Sequence, residues 1–244
     1  MATKIVFLLA QSTRSVAYVQ AASNAKLSVA NAIVYGNTKK AIASSRNLYD
    51  HSTDLFCPDF ILDLPQSLAM TDWPIWQCDS KSLDNNTLLA KLKSLSPDII
   101  VYSGYGGQIV PKPVLEIAPI LHIHSGSLPD FPGSTTIYYQ ILAQNNCGAS
   151  ALLLDETIDT GPVLAKKVYP LPSCHMDIDY LYDNMIRADL LINVLTNIED
   201  YSLDTLSTKT SAKTSPYFII HPLLKHIAIL SSDIKSEHQG QKID

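Results

Sequence analysis

The sequence predicts an α/β fold: a doubly wound, mostly parallel sheet with a small C-terminal appendage. Short apolar runs alternate with longer segments whose apolar residues recur at helical spacing. The runs are nearly continuous, as expected of strands that are buried on both faces. With 244 residues, of which 46% are apolar, the chain can form one such domain. We expect the main domain at residues 1–200 and the appendage at residues 201–244.

The first part of the chain predicts a β-α-β-α opening. Strands are expected at Lys4–Ala10 and Val29–Tyr35, and helices after them at Arg14–Leu27 and Lys39–Leu48. The first helix follows the cap-forming residues Gln11–Thr13. No glycine lies between residues 10 and 20, so the glycine-rich fingerprint of dinucleotide-binding folds is missing. A nicotinamide cofactor is therefore not expected.

The middle of the chain continues this alternation. Its strongest strand is followed by a glycine-rich loop at 104–108. Pro111 lies near the first turn of the next helix, a position that proline favours. The strands and helices expected in this part are Phe60–Leu64, Pro74–Cys78, Asp84–Leu95, Asp98–Ser103 and Pro111–Ile117.

Two histidines mark the strand that follows. His122 and His124 stand two apart on the expected strand Pro119–Ser125. Because side chains alternate along a strand, both imidazoles should face the same side. A loop rich in glycine, proline and serine comes next, and the cap residues Ser134–Thr136 open the amphipathic helix Ile137–Ala143. The two rings are therefore expected side by side at one end of the sheet.

An acidic turn follows the next apolar run. The run is Ala149–Leu154, and the turn after it carries three carboxylates, Asp155, Glu156 and Asp159. In open parallel sheets, ligands bind outside the carboxyl ends of the strands. We therefore expect the acidic turn and the loop after the histidines to meet at one site, with Glu156 as a solvated turn residue.

The C-terminal part is expected to contain one strand, one long helix and little else. A strand is predicted at Pro162–Val168 and a helix at Tyr180–Ile198. Tyr201–Pro216 has the composition of a linker, and Tyr217–Leu230 is a short apolar segment. We expect Ser231–Asp244 to form a mobile tail.

Composition excludes several classes of function. The net charge of -5 argues against a non-specific grip on nucleic acid, which depends on lysine and arginine neutralising phosphates. No apolar run reaches the ~18 residues of a membrane span, and the N-terminal run is shorter than that of a secretory leader. The cysteines are scattered, as packing thiols of a cytoplasmic protein would be. They are Cys57, Cys78, Cys147 and Cys174.

The motifs resemble those of a known family. H-x-H-S-x-S-L-P-x-x-x-G begins at His122, and D-x-x-x-D-T-G begins at Asp155. In this order they resemble the folate-dependent formyltransferases, and the resemblance extends from Lys4 to about Tyr169. It implies a Rossmann-like fold. One position departs from the family pattern, because His122 stands where the family has asparagine.

The resemblance also implies roles for the residues of these motifs. His124 would stabilise the oxyanion of the tetrahedral intermediate or relay the proton of the amine. Asp159 would orient and polarise His124 or take the proton through water. His122 would replace the asparagine, since a neutral histidine offers an N–H in one tautomer, although it could add a titration near neutral pH. Ser125, Ser127 and Gly133 would shape the loop.

The implied co-substrate is 10-formyltetrahydrofolate. In the family, backbone groups of a loop before a proline hold the pterin, and the segment Gly107–Pro111 matches that loop. No metal ion is expected. The residues expected to bind the co-substrate are Gly106, Gly107, Gln108, Ile109, Val110, Asp155, Thr157 and Ile158.

The short C-terminal extension favours the sugar N-formyltransferases within this family. Methionyl-tRNA formyltransferases carry a β-barrel after the catalytic domain, and residues 201–244 are too few for one. We therefore expect a small-molecule acceptor, a nucleotide-linked amino sugar of the kind used in lipopolysaccharide biosynthesis. No nucleic-acid or membrane partner is expected, and the enzyme should be a homodimer in the cytoplasm.

Three alternatives stay open at this stage. A glycinamide ribonucleotide formyltransferase is also compact and carries the same motifs. An H-x-H pair has the spacing of metal ligands, so a metal-dependent deacylase could use His122, His124 and Asp159. The chain could also be a non-catalytic module that binds folate or a nucleotide.

Overall fold

The structure is a computed structural model that describes residues 2–36, 54–172, 175–201 and 215–240. Side chains of the last helix are described as far as residue 234. The expected helix Lys39–Leu48 and most of the expected linker Tyr201–Pro216 lie outside these ranges, as does Cys174.

Seven strands of the described chain form one sheet, in the order β3-β2-β1-β4-β5-β6-β7. Strands β1 to β5 are parallel, and β6 runs antiparallel to both of its neighbours. The predicted doubly wound, mostly parallel sheet is therefore confirmed. The strands are β1 Ile5–Ala10, β2 Asn31–Tyr35, β3 Ile75–Cys78, β4 Ile99–Ser103, β5 Ile120–Ser125, β6 Cys147–Leu153 and β7 Val163–Tyr169.

Helices cover both faces of the sheet. Residues of α1, α2, α5 and α6 pack in one core, and residues of α3 and α4 pack in the other. A π-helical turn, Ile178–Tyr182, leads into α6, and a 3-10 turn, Ile198–Asp200, follows it. The helices are α1 Thr13–Asn24, α2 Leu64–Ala69, α3 Asn86–Leu95, α4 Lys112–Leu115, α5 Thr136–Gln144, α6 Asp183–Thr196 and α7 Pro222–Gly240.

The central strands are buried on both faces, as their composition predicts. Every residue of β1, which reads I-V-F-L-L-A, is buried. Alternate residues of this strand enter different cores, with Phe7 and Leu9 in one and Val6 and Leu8 in the other. Burying a side chain of this size typically stabilises the fold by about 1.5–3 kcal/mol relative to leaving it exposed. The sheet therefore gives a rigid base for the loops at its carboxyl end.

The direction of β6 corrects one expectation. We expected the acidic turn to leave the carboxyl end of a parallel strand, but β6 is antiparallel and pairs His124 with Ser150 and Leu121 with Leu153. The turn therefore starts beside the beginning of β5 and folds back toward its end. The short connection through α5 allows this reversal.

Two other expectations were wrong in detail. Phe60–Leu64 is not a strand, because Asp63 and Gln66 form a reciprocal capping box that starts α2 at Leu64. The expected mobile tail overlaps α7, which extends to Gly240. Ile234 continues the helical spacing of apolar residues past residue 230, which favours a longer helix.

The parallel strands β4 and β5 separate at their carboxyl ends. Ile100 pairs with Ile120 and Val101 pairs with Leu121, and the pairing of the two strands ends there. The last residues of β5, which include both histidines, therefore extend beyond their neighbour on that side. A gap at this point gives side chains from other elements access to the end of β5.

None of the helices in the described part of the chain combines the length and the apolar character needed to cross a membrane. Cys78 and Cys147 are free thiols, and burial raises the pKa of Cys147.

Candidate active site

His124 lies near the end of β5, with only 4% of its surface exposed. Its Nε2 is 2.7 Å from the carbonyl oxygen of Phe131 and 3.2 Å from the hydroxyl of Thr136. A carbonyl can only accept, so the Nε2 proton is donated to Phe131. The neutral ring therefore keeps its proton on Nε2.

Asp159 faces the other nitrogen of the same ring. Its Oδ1 is 3.5 Å from His124 Nδ1, and its Oδ2 accepts from the backbone N–H of Gly133 at 2.7 Å. Asp159 is only 8% exposed and has a φ of 55°, so the acidic turn bends sharply to bury this carboxylate. The structure thus brings together the histidine and the aspartate that the sequence analysis singled out.

The pair is arranged to exchange a proton. Burial lowers the pKa of His124, and the negative charge of Asp159 opposes that effect. The Nδ1–Oδ1 distance is longer than an ordinary hydrogen bond, as expected when no proton lies between a neutral Nδ1 and a carboxylate. A proton that arrives there would be held by both groups. This is the arrangement of a general base with a charge that stabilises its protonated form.

His122 lies on the same face of β5 as His124, because Ile123 between them, like Leu121 before them, packs in the opposite core. Its ring is 6.2 Å from the ring of Tyr102, and its Nδ1 is buried with no hydrogen-bond partner among the described residues. Burial and the charges of Arg14 and Arg187 hold the pKa of His122 well below its ordinary value. The titration near neutral pH that the sequence suggested is therefore not expected.

Asparagine should replace His122 with little loss of activity. Because His122 is neutral at working pH, His122→Asn keeps a neutral polar group at this position. We expect kcat/KM to fall by less than about tenfold, well under the ~10²–10⁴-fold effect of a placed acid–base group. His122→Phe, which has no polar atom, is the control and should lose more. Equal losses in both variants, measured by steady-state kinetics, would contradict this interpretation.

The acidic turn is organised by its own side chains. Asp155 accepts from the N–H of Thr157 at 2.8 Å and from the hydroxyl of Thr160 at 3.0 Å, so its carboxylate holds the turn together. A Cβ at Gly161 would overlap the carbonyl of Leu153, which explains the glycine that ends the motif. Glu156 is a surface residue that pairs with Lys112.

The glycine-rich loop after β4 is anchored by the side chain of Gln108. This side chain accepts from the hydroxyl of Tyr35 at 2.7 Å and donates to the carbonyl of Lys81 at 2.9 Å. Its backbone N–H also has a partner, the carbonyl of Tyr105. In the described chain, by contrast, the N–H groups of Ile109 and Val110 have no hydrogen-bond acceptor. They are the donors left for a ligand, whereas Gln108 fixes the shape of the loop.

The three residues expected to shape the histidine loop all make contacts there. Ser127 exchanges hydrogen bonds with the side chain of Gln140, and Ser125 donates to Asp183 of α6. Gly133 has a φ of 105° and donates to Asp159. Their backbone and hydroxyl groups therefore define the position of the loop relative to the catalytic candidates.

An ion pair on α6 was not predicted from the sequence. Asp183 Oδ2 accepts from Arg187 Nε at 2.8 Å, and the two side chains are 19% and 13% exposed. Arg187 also donates to the carbonyl of Ile123 at 2.5 Å, while Asp183 accepts from Ser125. The pair thus holds β5 on both sides of His124, where β4 no longer does. An i, i+4 pair is common on helices, so its spacing in the sequence does not indicate this role.

The geometry does not favour a metal site. Within the ranges that the structure describes, no three histidine, cysteine or carboxylate side chains are grouped as metal ligands would be. His124 donates its Nε2 proton to Phe131, and the ring of His122 lies 6.2 Å from the ring of Tyr102. The deacylase alternative loses its ligand set on these grounds.

Comparison with known proteins identifies the family. The family model described as formyl transferase matches residues 3–190 of the 244. The chain belongs to the formyl transferase family. All of the motif residues discussed above, from the glycine-rich loop to Gly161, lie within the match, as does the α6 pair.

Curated relatives of this formyl transferase match parts of it. A methionyl-tRNA formyltransferase from Campylobacter curvus is 41% identical over 85 residues, which cover 34% of this chain and 28% of the relative. One from Syntrophus aciditrophicus is 29% identical over 140 residues, covering 55% and 44%. The chain thus spans less than half the length of these curated relatives.

Solved structures with the same fold carry other names. A sugar N-formyltransferase from a Shewanella species superposes with a TM-score of 0.57 at 16% identity, covering 94% of this chain and 87% of that one. Glycinamide ribonucleotide transformylase 1 from Symbiobacterium toebii also gives 0.57, at 17% identity, covering 81% and 88%. At such identities the likeness establishes the fold of this formyl transferase and nothing about its acceptor.

Proposed function

We propose that this formyl transferase moves a formyl group from 10-formyltetrahydrofolate to an amino group of a nucleotide-linked amino sugar in the cytoplasm. The observation that carries the proposal is the buried His124–Asp159 pair, whose Nδ1 and Oδ1 lie 3.5 Å apart in a formyl transferase domain. Transfer to an amine requires a group that takes a proton from the attacking nitrogen. The pair can do this without leaving an isolated buried charge.

The two loops that flank the pair suit a folate donor. The family uses 10-formyltetrahydrofolate, which supplies the formyl group when bound. Ile109 and Ile158 are 63% and 51% exposed, one on each loop, so each loop presents an apolar side chain that a pterin could cover. The unpaired N–H groups of Ile109 and Val110 would bind polar atoms of the ring. Gly106 and Gly107 would permit close approach, and Asp155 and Thr157 would keep the acidic turn in place.

In the proposed mechanism, His124 and Asp159 handle the proton and the neighbouring groups keep them in place. The attacking amine must lose a proton, which passes to His124 Nδ1 or to Asp159. The imidazolium that forms keeps its Nε2 hydrogen bond to Phe131 and faces the carboxylate through Nδ1. As the new bond to the amine forms and the bond between the formyl carbon and N10 of the donor breaks, the pair would return this proton to N10, so that tetrahydrofolate leaves with a neutral N10. His122 contributes its unpartnered Nδ1 to the polar lining of the site. A placed acid–base group of this kind typically contributes ~10²–10⁴-fold to the rate.

The arrangement of the C-terminal residues and the charge support a small acceptor. Residues 216–220 and α7 pack against α5 and the histidine loop, so the described C-terminal segment is closely joined to the domain. The chain has a net charge of -5, which does not favour a large anionic partner. A nucleotide-linked amino sugar is a small acceptor and therefore agrees with the packing of the C-terminal segment and with the net charge.

A methionyl-tRNA acceptor is the second candidate, because the curated relatives described above carry that name. Their matches cover less than half of each relative, so the acceptor named for them does not extend to this chain without a test. Glycinamide ribonucleotide is the third candidate, on the resemblance of the motifs.

The acceptor can be tested by one assay. The purified protein is incubated with 10-formyltetrahydrofolate and with nucleotide-linked amino sugars, methionyl-tRNA or glycinamide ribonucleotide in turn, and release of tetrahydrofolate is followed. We expect acceptor-dependent release with at least one amino sugar. Release only with methionyl-tRNA, or only with the ribonucleotide, would reassign the acceptor. No release with any acceptor, together with folate binding, would indicate a binding module.

We also propose that two copies associate through α7. The outer face of this helix is apolar, and its four apolar side chains are 44% to 61% exposed. Leu223, Ile227, Leu230 and Ile234 follow the i, i+4, i+7, i+11 spacing of a helix–helix seam. A second copy of the same helix, related by a two-fold axis, presents an identical seam and can cover this one.

Ile227→Glu should convert the dimer to a monomer. The substitution places a charge at the centre of the seam, where it would be buried against the partner helix. Light scattering after gel filtration should give the mass of a dimer for the wild type and of a monomer for the variant. His226→Glu, at the adjacent and exposed position off the seam, is the matched control and should stay dimeric. A wild type that is monomeric at micromolar concentration would refute the proposal.

A further inference from the structure

The segment from Pro216 to Ile220, here called the Tyr217 segment, pairs with the loop after the histidines. Tyr217 donates its N–H to the carbonyl of Pro132 at 2.7 Å and accepts from the N–H of Ser134 at 2.8 Å. Ile220 donates its N–H to the hydroxyl of Thr135 at 2.8 Å. Three hydrogen bonds thus fix three consecutive parts of the loop from a point more than 80 positions later in the chain.

Aromatic packing strengthens this attachment. The ring of Tyr217 stacks on Phe131, with centroids 6.0 Å apart, and lies 4.4 Å from the ring of Tyr139. The hydroxyl of Tyr139 donates to the carbonyl of Phe218 at 3.2 Å. Aromatic pairs of this kind are typically worth about 0.5–1.5 kcal/mol beyond the burial of their area. The Tyr217 segment is therefore held by side chains as well as by its backbone.

The loop shows in two places that it is adapted to this neighbour. A Cβ at Gly133 would overlap the backbone of Tyr217, so only glycine allows the two chains to approach this closely. Thr135 is the N-cap residue of α5, but its hydroxyl accepts from Ile220 and forms no cap hydrogen bond. The helix thus begins without the side-chain cap that such a residue usually supplies.

The same loop holds the catalytic candidates. The carbonyl of Phe131 accepts the Nε2 proton of His124, and the N–H of Gly133 donates to Asp159. Pro132 lies between these two residues and is the one to which Tyr217 donates. A shift of the loop would therefore move the partners of the histidine and of the aspartate together.

We propose that the Tyr217 segment is a positioning element of the active site, which fixes the distance between His124 and Asp159 through the loop 131–135. The role of the pair in formyl transfer rests on the proposed function, whereas the mechanical link does not. Tyr217 does not touch the reacting atoms in this proposal. It acts through Phe131 and Gly133.

Tyr217→Ala tests the link. It removes the ring that Phe131 and Tyr139 contact, while Tyr217→Phe keeps the ring and is the matched control. In an assay with an acceptor that the enzyme formylates, we expect Tyr217→Ala to lower kcat by roughly 10²-fold, with little change in the KM of the folate. A loss of this size is typical when a catalytic group is misplaced by about 1 Å. Tyr217→Phe should resemble the wild type. Thr135→Val, which removes the acceptor of Ile220 with almost no change in volume, should lower kcat in the same direction.

The pH dependence distinguishes positioning from simple loss of structure. Burial lowers the pKa of His124, while the charge of Asp159 and the hydrogen bond to Phe131 raise it. A looser loop that no longer holds these two partners should therefore lower the pKa while the ring stays buried. The other charges near His124 stay in place, since Asp183 and Arg187 lie on α6, His122 lies on β5 and Arg14 lies on α1. The acid limb of kcat/KM should therefore move to lower pH in Tyr217→Ala and stay in place in Tyr217→Phe.

A readout without substrate separates this inference from the proposed function. The ¹⁵N shifts of the imidazole nitrogens of His124 can be followed against pH by NMR in the wild type and in each variant. A lower pKa in Tyr217→Ala and in Thr135→Val supports the link even if no acceptor is ever turned over. Unchanged titrations in two folded variants, with thermal unfolding as the test of folding, would overturn it.

Discussion

Asp159→Asn is expected to lower kcat/KM by ~10²–10⁴-fold, the range for loss of a placed acid–base group. An amide has nearly the shape of the carboxylate, but it cannot take a proton or stabilise an imidazolium at 3.5 Å. It can still accept from the N–H of Gly133, so the loop should keep its position. The loss should therefore fall on kcat, with little change in the KM of the folate.

Glu156→Gln is the matched control for this variant. Glu156 lies in the same turn, but its side chain is 68% exposed and pairs only with Lys112 on the surface. We expect wild-type kinetics from it, since exposed pairs contribute little. An Asp159→Asn enzyme that keeps more than about a tenth of its activity would remove Asp159 from the proton transfer.

The same variant has a predictable effect on pH dependence. The charge of Asp159 raises the pKa of His124, and its loss leaves burial to lower that pKa further. His124 must be neutral to act as a base, so the residual activity should extend to lower pH than in the wild type. A pH–rate profile of kcat/KM measures this shift.

Arg187→Met is expected to destabilise the protein by about 3–5 kcal/mol, because it leaves the largely buried carboxylate of Asp183 without its cationic partner. It also leaves the carbonyl of Ile123 without the donor that replaces β4 at this point. For a chain of this size, such a loss should lower Tm by roughly 10 °C. Urea denaturation and thermal unfolding would measure the two quantities.

A matched substitution of an exposed pair gives the control. Lys167→Met breaks an ion pair with Asp189 in which the side chains of Lys167 and Asp189 are 47% and 25% exposed. It should lower the free energy of unfolding by less than about 1 kcal/mol. Arg187→Lys keeps the charge, but it cannot hold Asp183 and Ile123 together as the planar guanidinium does, and should give an intermediate loss. Similar small losses for Arg187→Met and Lys167→Met would show that the α6 pair is not a structural support.

The two residues of the α6 pair should also shift the pKa of His124 in opposite directions. Arg187 lowers the pKa of His124 and Asp183 raises it. Arg187→Met should therefore move the acid limb of kcat/KM to higher pH, and Asp183→Asn should move it to lower pH. A purely structural defect would not shift the acid limbs of the two variants in opposite directions.

The parts of the fold that could be predicted are those fixed by local pattern. The apolar runs of β1, β4 and β5 and the helical spacing in α6 specify their own structure, and all four were expected within a few residues. His124 and Asp159 were also expected to meet, both from the family motifs and from a parallel β6, and only the motifs remain as a valid ground. The predicted parallel direction of β6 was wrong, since neither its composition nor the length of α5 distinguishes the two directions.

The parts of the site that could not be predicted are backbone groups and distant contacts. The carbonyl of Phe131 and the N–H of Gly133 carry no signal, because every residue has these groups. Arg187 and Tyr217 come from far along the chain and have ordinary alternatives, a surface ion pair and an apolar segment. Gln108 was expected to bind the folate, but its side chain and N–H are used to shape the loop.

The pairing of Tyr217 with Pro132 and Ser134 has a consequence for biosynthesis. A nascent chain leaves the ribosome from its N-terminus, and domains generally begin to fold in that order. The sheet can form before residue 217 is made, but the loop that holds His124 and Asp159 then lacks its neighbour. The sheet should therefore form earlier in translation than the catalytic activity, which appears only after residue 217 has been made.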